Sequence, residues 1–110
     1  MFIRCDIRKT SFKFFLTNNI KFDLIIDDGS HMEKDQVKSF MLLHSKLNKD
    51  GLYIIEDILP QFQEGFKTLR NFPKDFVDNI INKNFKITYH DTREISGIPN
   101  DFCVCFKKIK

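Results

Sequence analysis

Apolar residues fall into short runs along this chain, and their spacing changes from one segment to the next. Phe2 to Asp6 reads as a short strand closing on an acid. Ser11 to Asn18 suits a short helix with Phe12, Phe15 and Leu16 on one side, stopped by Asn18-Asn19. Phe22 to Ile26 is apolar except for Asp23, the pattern of a strand buried on both faces of a parallel sheet. Asp27-Asp28-Gly29-Ser30-His31 follows, and Gly29 permits a tight turn. Ser30 and Glu33 have the spacing of a capping box, which predicts a helix start. Val37, Phe40, Met41, His44 and Leu47 then recur at helical intervals and form one apolar face. Asn48-Lys49-Asp50-Gly51 supplies turn chemistry to end the helix. Leu52 to Ile55 is a second apolar strand, closing on Glu56-Asp57.

Strand, loop, helix, turn and strand thus fit within roughly 35 residues, the size of one βαβ unit. Such a crossover is right-handed and its strands are parallel. Pro60 breaks the pattern, and residues 62–72 fit no single period. Phe76, Val77, Ile80 and Ile81 predict another amphipathic helix after Pro73. Phe85 to Tyr89 and Phe102 to Phe106 predict two closing strands. Between them, Asp91 to Asn100 contains Gly97 and Pro99 and reads as a loop or hairpin connection. No repeat or internal boundary divides residues 1–110, which read as one domain.

Composition narrows the class. The chain has 110 residues, enough for one small domain, and 42% are hydrophobic, so a packed core is expected rather than disorder. The net charge is +3, and the lysines are dispersed apart from Lys107, Lys108 and Lys110. A nucleic-acid binder would concentrate them on a face or stripe, so no nucleic-acid partner is expected. The Phe-rich segment 12–16 reads as packing rather than a base-stacking platform. The cysteines are Cys5, Cys103 and Cys105, an odd number without CxxC spacing, which indicates neither zinc nor a disulfide framework. Cys103 and Cys105 share one face of their strand. Reduced thiols and a cytoplasmic location are expected. No apolar run reaches the length of a membrane span, and no signal peptide is visible.

The chemistry lies at the strand ends. In an open parallel sheet, ligands bind at the carboxyl ends of the strands. Asp27 and Asp28 close one strand; Glu56 and Asp57 close the next. Neighbouring strands lie about 4.8 Å apart, so four carboxylates would crowd one rim. They repel one another unless a cation or a proton intervenes. Oxygen ligands of this kind suit Mg²⁺ or Mn²⁺ rather than Zn²⁺. His31, three residues past Asp28, is placed to accept a proton from a substrate hydroxyl whose pKa the ion has lowered. The alternative is that the acids cap helix N-termini, which explains one acid per loop better than two. His44 reads as a packed histidine and Tyr53 as core. His90 and Asp91 follow a strand end without a partner motif.

The run Phe22-Asp23-Leu24-Ile25-Ile26-Asp27-Asp28-Gly29-Ser30-His31, followed by Gly51-Leu52-Tyr53-Ile54-Ile55-Glu56-Asp57, resembles class I S-adenosylmethionine-dependent methyltransferases of the macrocin and mycinamicin sugar O-methyltransferase type. The two segments and the helix between them cover roughly a third of the chain. The resemblance implies a Rossmann-like α/β sheet, mostly parallel with an antiparallel C-terminal strand. It implies Mg²⁺ (or Mn²⁺) held by Asp28, Glu56 and Asp57, with His31 as general base. S-adenosylmethionine is the implied cofactor, with Asp27 and the strand-closing Asp6 as candidate contacts, Asp6 toward the adenine. The implied substrate is a hydroxyl of a sugar or another small molecule. Asp50-Gly51 stands where many relatives have Gly-Gly.

The larger departure is N-terminal. Such enzymes begin with a strand and a glycine-rich loop, and no G-x-G occurs here. The chain starts where the family's third strand would, so it reads as an N-terminally truncated, partial domain. Two strands that would lie between residues 2–6 and residues 22–26 are missing. Either residues 2–6 pair beside 22–26, displacing Asp6 from its adenine position, or the open edge recruits a second copy or a separate N-terminal half. Two other functions compete with the enzyme: a catalytically inactive assembly domain, and a Mg²⁺-binding receiver-like signalling module. The receiver needs a lysine on a later strand end, which the sequence does not supply.

Overall fold

The structure is a computed structural model, and it describes residues 2–5 (as backbone), 19–29, 31–99 and 101–110. The segment proposed as a helix over 11–18, together with Asp6 and Ser30, lies outside these residues. Five strands form one sheet in the order β1-β2-β3-β5-β4. They are β1 (Phe2–Cys5), β2 (Phe22–Asp27), β3 (Leu47–Ile55), β4 (Phe85–Asp91) and β5 (Phe102–Lys108). β1, β2 and β3 run parallel; β5 is antiparallel to β3, and β4 is antiparallel to β5. β4 therefore points the same way as the first three strands, and one rim collects four carboxyl ends.

Of the two outcomes expected for residues 2–6, the first is observed. β1 lies directly beside β2, with Phe2 opposite Leu24 and Cys5 opposite Asp27. A strand in that place is not the family's third strand at a distant edge. The adenine assignment of Asp6, which depended on that position, loses its basis.

α1 (Glu33–Leu43) returns the chain from β2 to β3. Its N-cap is Met32, without a side-chain cap bond; the helix thus starts two residues later than a capping box at Ser30 would place it. Gln36, Val37, Ser39, Phe40 and Leu43 face inward. Phe40 is fully buried, and its ring meets Tyr53 at 4.9 Å, Phe85 at 5.3 Å and Phe106 at 4.3 Å. With no tryptophan available, phenylalanines fill the space between helix and sheet, mostly edge to face, the geometry aromatic quadrupoles favour. His44 stacks at the margin of this cluster. Burial, helped by the nearby charge of Lys108, holds its imidazole below the usual range.

The Asn48–Gly51 turn does not precede the second strand but lies inside it. Phe22 pairs with Leu47 and Leu24 with Leu52, so β3 spends three more residues than β2 over this stretch. The surplus is a bulge. Asp50 takes φ +68°, and the Asn48 side-chain amide donates to Asp23 Oδ1 at 3.0 Å. A Cβ on Gly51 would sit 2.8 Å from the Asn48 carbonyl oxygen and 3.0 Å from that of Asp23.

Pro60 starts rather than breaks structure. It occupies the first turn of α2 (Pro60–Thr68), where its missing N–H costs nothing. After Pro73 the chain coils again, as the apolar spacing predicts, in α3 (Lys74–Phe76), a π-helical stretch (Val77–Ile81) and α4 (Asn82–Asn84). The β4–β5 connection contains one helical turn, α5 (Arg93–Ser96), closed by Gly97 at φ +73°. Among the described residues, no helix is long and apolar enough to cross a membrane.

Candidate metal centre

β2 and β3 deliver their carboxyl ends side by side, with Asp27 opposite Ile55. Strand alternation sends both inward. Asp27 is 4% exposed, and its Oδ1 accepts a hydrogen bond from the Gly29 backbone N–H at 3.3 Å. It braces the turn toward α1. The Glu56 N–H donates to the Asp27 carbonyl at 3.2 Å, prolonging the ladder one step beyond the strands. Asp57 then leaves the ladder at φ +52°, a left-handed conformation that aspartate tolerates better than most residues.

Three side chains converge there. One ligand atom each from Asp28, His31 and Asp57 lies within 4.8 Å of the other two. The two aspartates are half-buried and the histidine is exposed. Paired carboxylates at this range favour a bound cation, and two oxygens with one imidazole nitrogen form a donor set for a divalent ion. Glu56, expected as the third ligand, is not one of the three. Its carboxylate is felt instead at Cys103, whose thiol is pushed up chiefly by burial, then by Cys105, Glu56, Asp101 and Asp57. Strict alternation puts Glu56 level with Asp28; the left-handed turn at Asp57 is what brings the next acid in.

The sequence reading missed a bracket beside this site. Arg93 grips Asp91 with two bonds, Nε to Oδ1 at 2.7 Å and a terminal nitrogen to Oδ2 at 2.6 Å. Its other terminal nitrogen donates to Gln63 Oε1 at 2.5 Å. The Gln63 amide in turn donates to the carbonyls of Ile58 at 2.9 Å and Pro99 at 3.1 Å. The β4–β5 connection is thereby fastened to the residue that follows Asp57. Hydrogen bonds from Arg93 hold the Asp91 carboxyl down at about 2. An acid and an arginine two residues apart at a strand end were the available signal. His90, in β4, is exposed, and its ring lies 3.4 Å from the Thr88 hydroxyl.

No family model matches the chain. It is 38% identical over 66 residues to the 8-demethyl-8-alpha-L-rhamnosyl tetracenomycin-C 2'-O-methyltransferase of Streptomyces olivaceus, covering 53% of this chain and 18% of that protein. Over 45 residues it is 42% identical to the demethylmacrocin O-methyltransferase of Streptomyces fradiae, covering 41% of this chain and 11% of the relative. The mycinamicin VI 2''-O-methyltransferase of Micromonospora griseorubida gives the same 42% over 45 residues. The chain is similar to the macrocin- and mycinamicin-type O-methyltransferases. Its fold agrees with theirs: the MycE methyltransferase, solved with Mg and SAH, superposes at a TM-score of 0.55 and 22% identity, over 89% of this chain and 29% of MycE. The chain therefore spans less than a third of the length of each of these macrocin- and mycinamicin-type relatives.

Proposed function

We propose that residues 1–110 are part of an S-adenosylmethionine-dependent, Mg²⁺-assisted O-methyltransferase acting on a hydroxyl of a sugar or other small molecule. The observation that carries this is the meeting of Asp28, His31 and Asp57 at the ends of two adjacent parallel strands. Its support from outside is the likeness to sugar O-methyltransferases. Asp28 and Asp57, with Glu56 one residue away, would hold Mg²⁺ or Mn²⁺; the oxygen donors fit such an ion. Such an ion would offset the carboxylate repulsion and would lower the pKa of an acceptor hydroxyl. His31 stands exposed ahead of α1 and would take the proton on its imidazole nitrogen. The Gln63–Arg93 bracket ties down the Ile58 carbonyl, one residue after Asp57.

For S-adenosylmethionine the fit is incomplete. The sequence offers no G-x-G turn, and the Asp27 carboxylate is turned into its own loop. Cofactor contacts would need residues beyond these, from a longer chain or a separate N-terminal half. A cytoplasmic setting agrees with the free thiols of Cys103 and Cys105.

Calorimetric titration with Mg²⁺, then with S-adenosylmethionine in its presence, tests the reading. Mg²⁺ should bind, and Asp28→Asn should weaken it at least about tenfold, while Asp23→Asn should leave it nearly unchanged. Equal Mg²⁺ affinity in Asp28→Asn would end the metal-assisted mechanism.

A further inference from the structure

We propose that His31 is a metal ligand in its own right. With Asp28 and Asp57 it would form a second ligation mode of the same site, selective for ions that favour imidazole, such as Co²⁺ and Zn²⁺. The inference rests on reading this rim as a cation site, but it concerns a different ion and a different third ligand.

Geometry comes first. The three ligand atoms already lie within 4.8 Å of one another. An ion with bonds of about 2.0–2.2 Å holds neighbouring ligand atoms roughly 3–3.5 Å apart, so modest side-chain rotation closes the set. Glu56 is not among the three, and the left-handed turn that admits Asp57 follows it directly. His31 is exposed, so an ion can reach it from solvent. It is joined to Asp28 by two intervening residues, one of them Gly29, a short link that keeps it near that carboxylate.

Donor chemistry then sorts the ions. Mg²⁺ prefers oxygen ligands and keeps several waters, so it gains little from an imidazole. Co²⁺ and Zn²⁺ bind imidazole nitrogen strongly and take mixed nitrogen–oxygen sets. Two carboxylates and a neutral imidazole around a divalent ion give a neutral centre. The nitrogen lone pair given to the ion is no longer available for a proton. Mg²⁺ would therefore leave the base free, and a transition ion would occupy it.

The test uses the chain as it stands. Co²⁺ is titrated by visible absorption and calorimetry, with histidine ring signals followed by NMR as Zn²⁺ is added. His31→Ala should weaken Co²⁺ and Zn²⁺ at least about tenfold and leave Mg²⁺ affinity within about twofold. His90→Ala should leave Co²⁺ affinity unchanged. In the NMR titration the His31 ring should shift, and the His44 ring should not. If His31→Ala binds Co²⁺ as tightly as the parent while Asp28→Asn does not, His31 ligation is wrong and the cation site stands. If neither substitution changes Co²⁺ binding, both ideas fail together. Circular dichroism of each variant confirms that it is folded.

Discussion

The two ends of the sheet use their charged side chains differently. At the carboxyl rim, acids from separate strands converge on a common point: Asp28 and Asp57 meet each other and His31. At the opposite end, lysines go to separate backbone carbonyls. Lys21 reaches Ser45 at 2.6 Å, and Lys108 reaches Leu47 at 2.9 Å. Each contact ties a lysine side chain to a backbone carbonyl distant in sequence. Convergence, rather than charge, separates a candidate site from scaffolding. Substitutions of the base lysines should therefore change stability without touching cation binding, and those of Asp28 or Asp57 should do the reverse.

The largest effect on stability is expected from Gly51→Ala. Its new Cβ would press on two backbone oxygens, which cannot rotate away, and the cost should be about 1–3 kcal/mol in chemical denaturation. Cation affinity should hold as long as the three-residue surplus in β3, and with it the register at the rim, is kept. A fall in Mg²⁺ affinity larger than the population of unfolded chain explains would show that the register had slipped. Lys108→Ala should cost less, about 1 kcal/mol for one hydrogen bond, again with no change in cation binding. Lys108 is half-buried, and burial, with the nearby Lys21 charge, holds its ammonium below the usual range.

The smallest effect concerns the rim bracket. The Asp91 carboxyl sits at about 2, against an ordinary value of 3.8, because Arg93 bonds its charged form. A depressed carboxylate contributes stability above the ordinary value, and that contribution is lost as pH falls from about 4 toward 2. Carboxyl carbon NMR should show Asp91 titrating near the bottom of that window, and Arg93→Ala should return it toward the ordinary range. An unmoved Asp91 in the variant would assign the shift to something other than Arg93.

The βαβ unit was legible because two short, nearly continuous apolar runs flank a segment of helical period over residues 22–55. Local chemistry was less transparent. Pro60 looked like a breaker because a proline carries no sign of whether it stands inside a helix or at its first turn. Ser30-x-x-Glu33 has the right spacing, yet Met32 caps the helix. Two acids closing each strand marked the rim, but alternation alone put Glu56 level with Asp28. The positive φ of Asp57 has no signature in the residue types before it. The Arg93–Gln63 contact joins residues thirty apart, and no periodicity reports such a pairing.

The bulge in β3 also works as a ruler. It absorbs a surplus of three residues between the pairs Phe22–Leu47 and Leu24–Leu52. At about 3.3 Å per residue, that surplus is roughly 10 Å of strand. Its number is odd, so an unbulged β3 kept in step at Leu47 would overshoot its neighbour and turn every later side chain to the other face. Tyr53 would leave the core, and Asp57 would stand well beyond Asp28. The meeting of two carboxylates at one end of the molecule is thus measured out at the other, by slack that Asp50 and Gly51 take up.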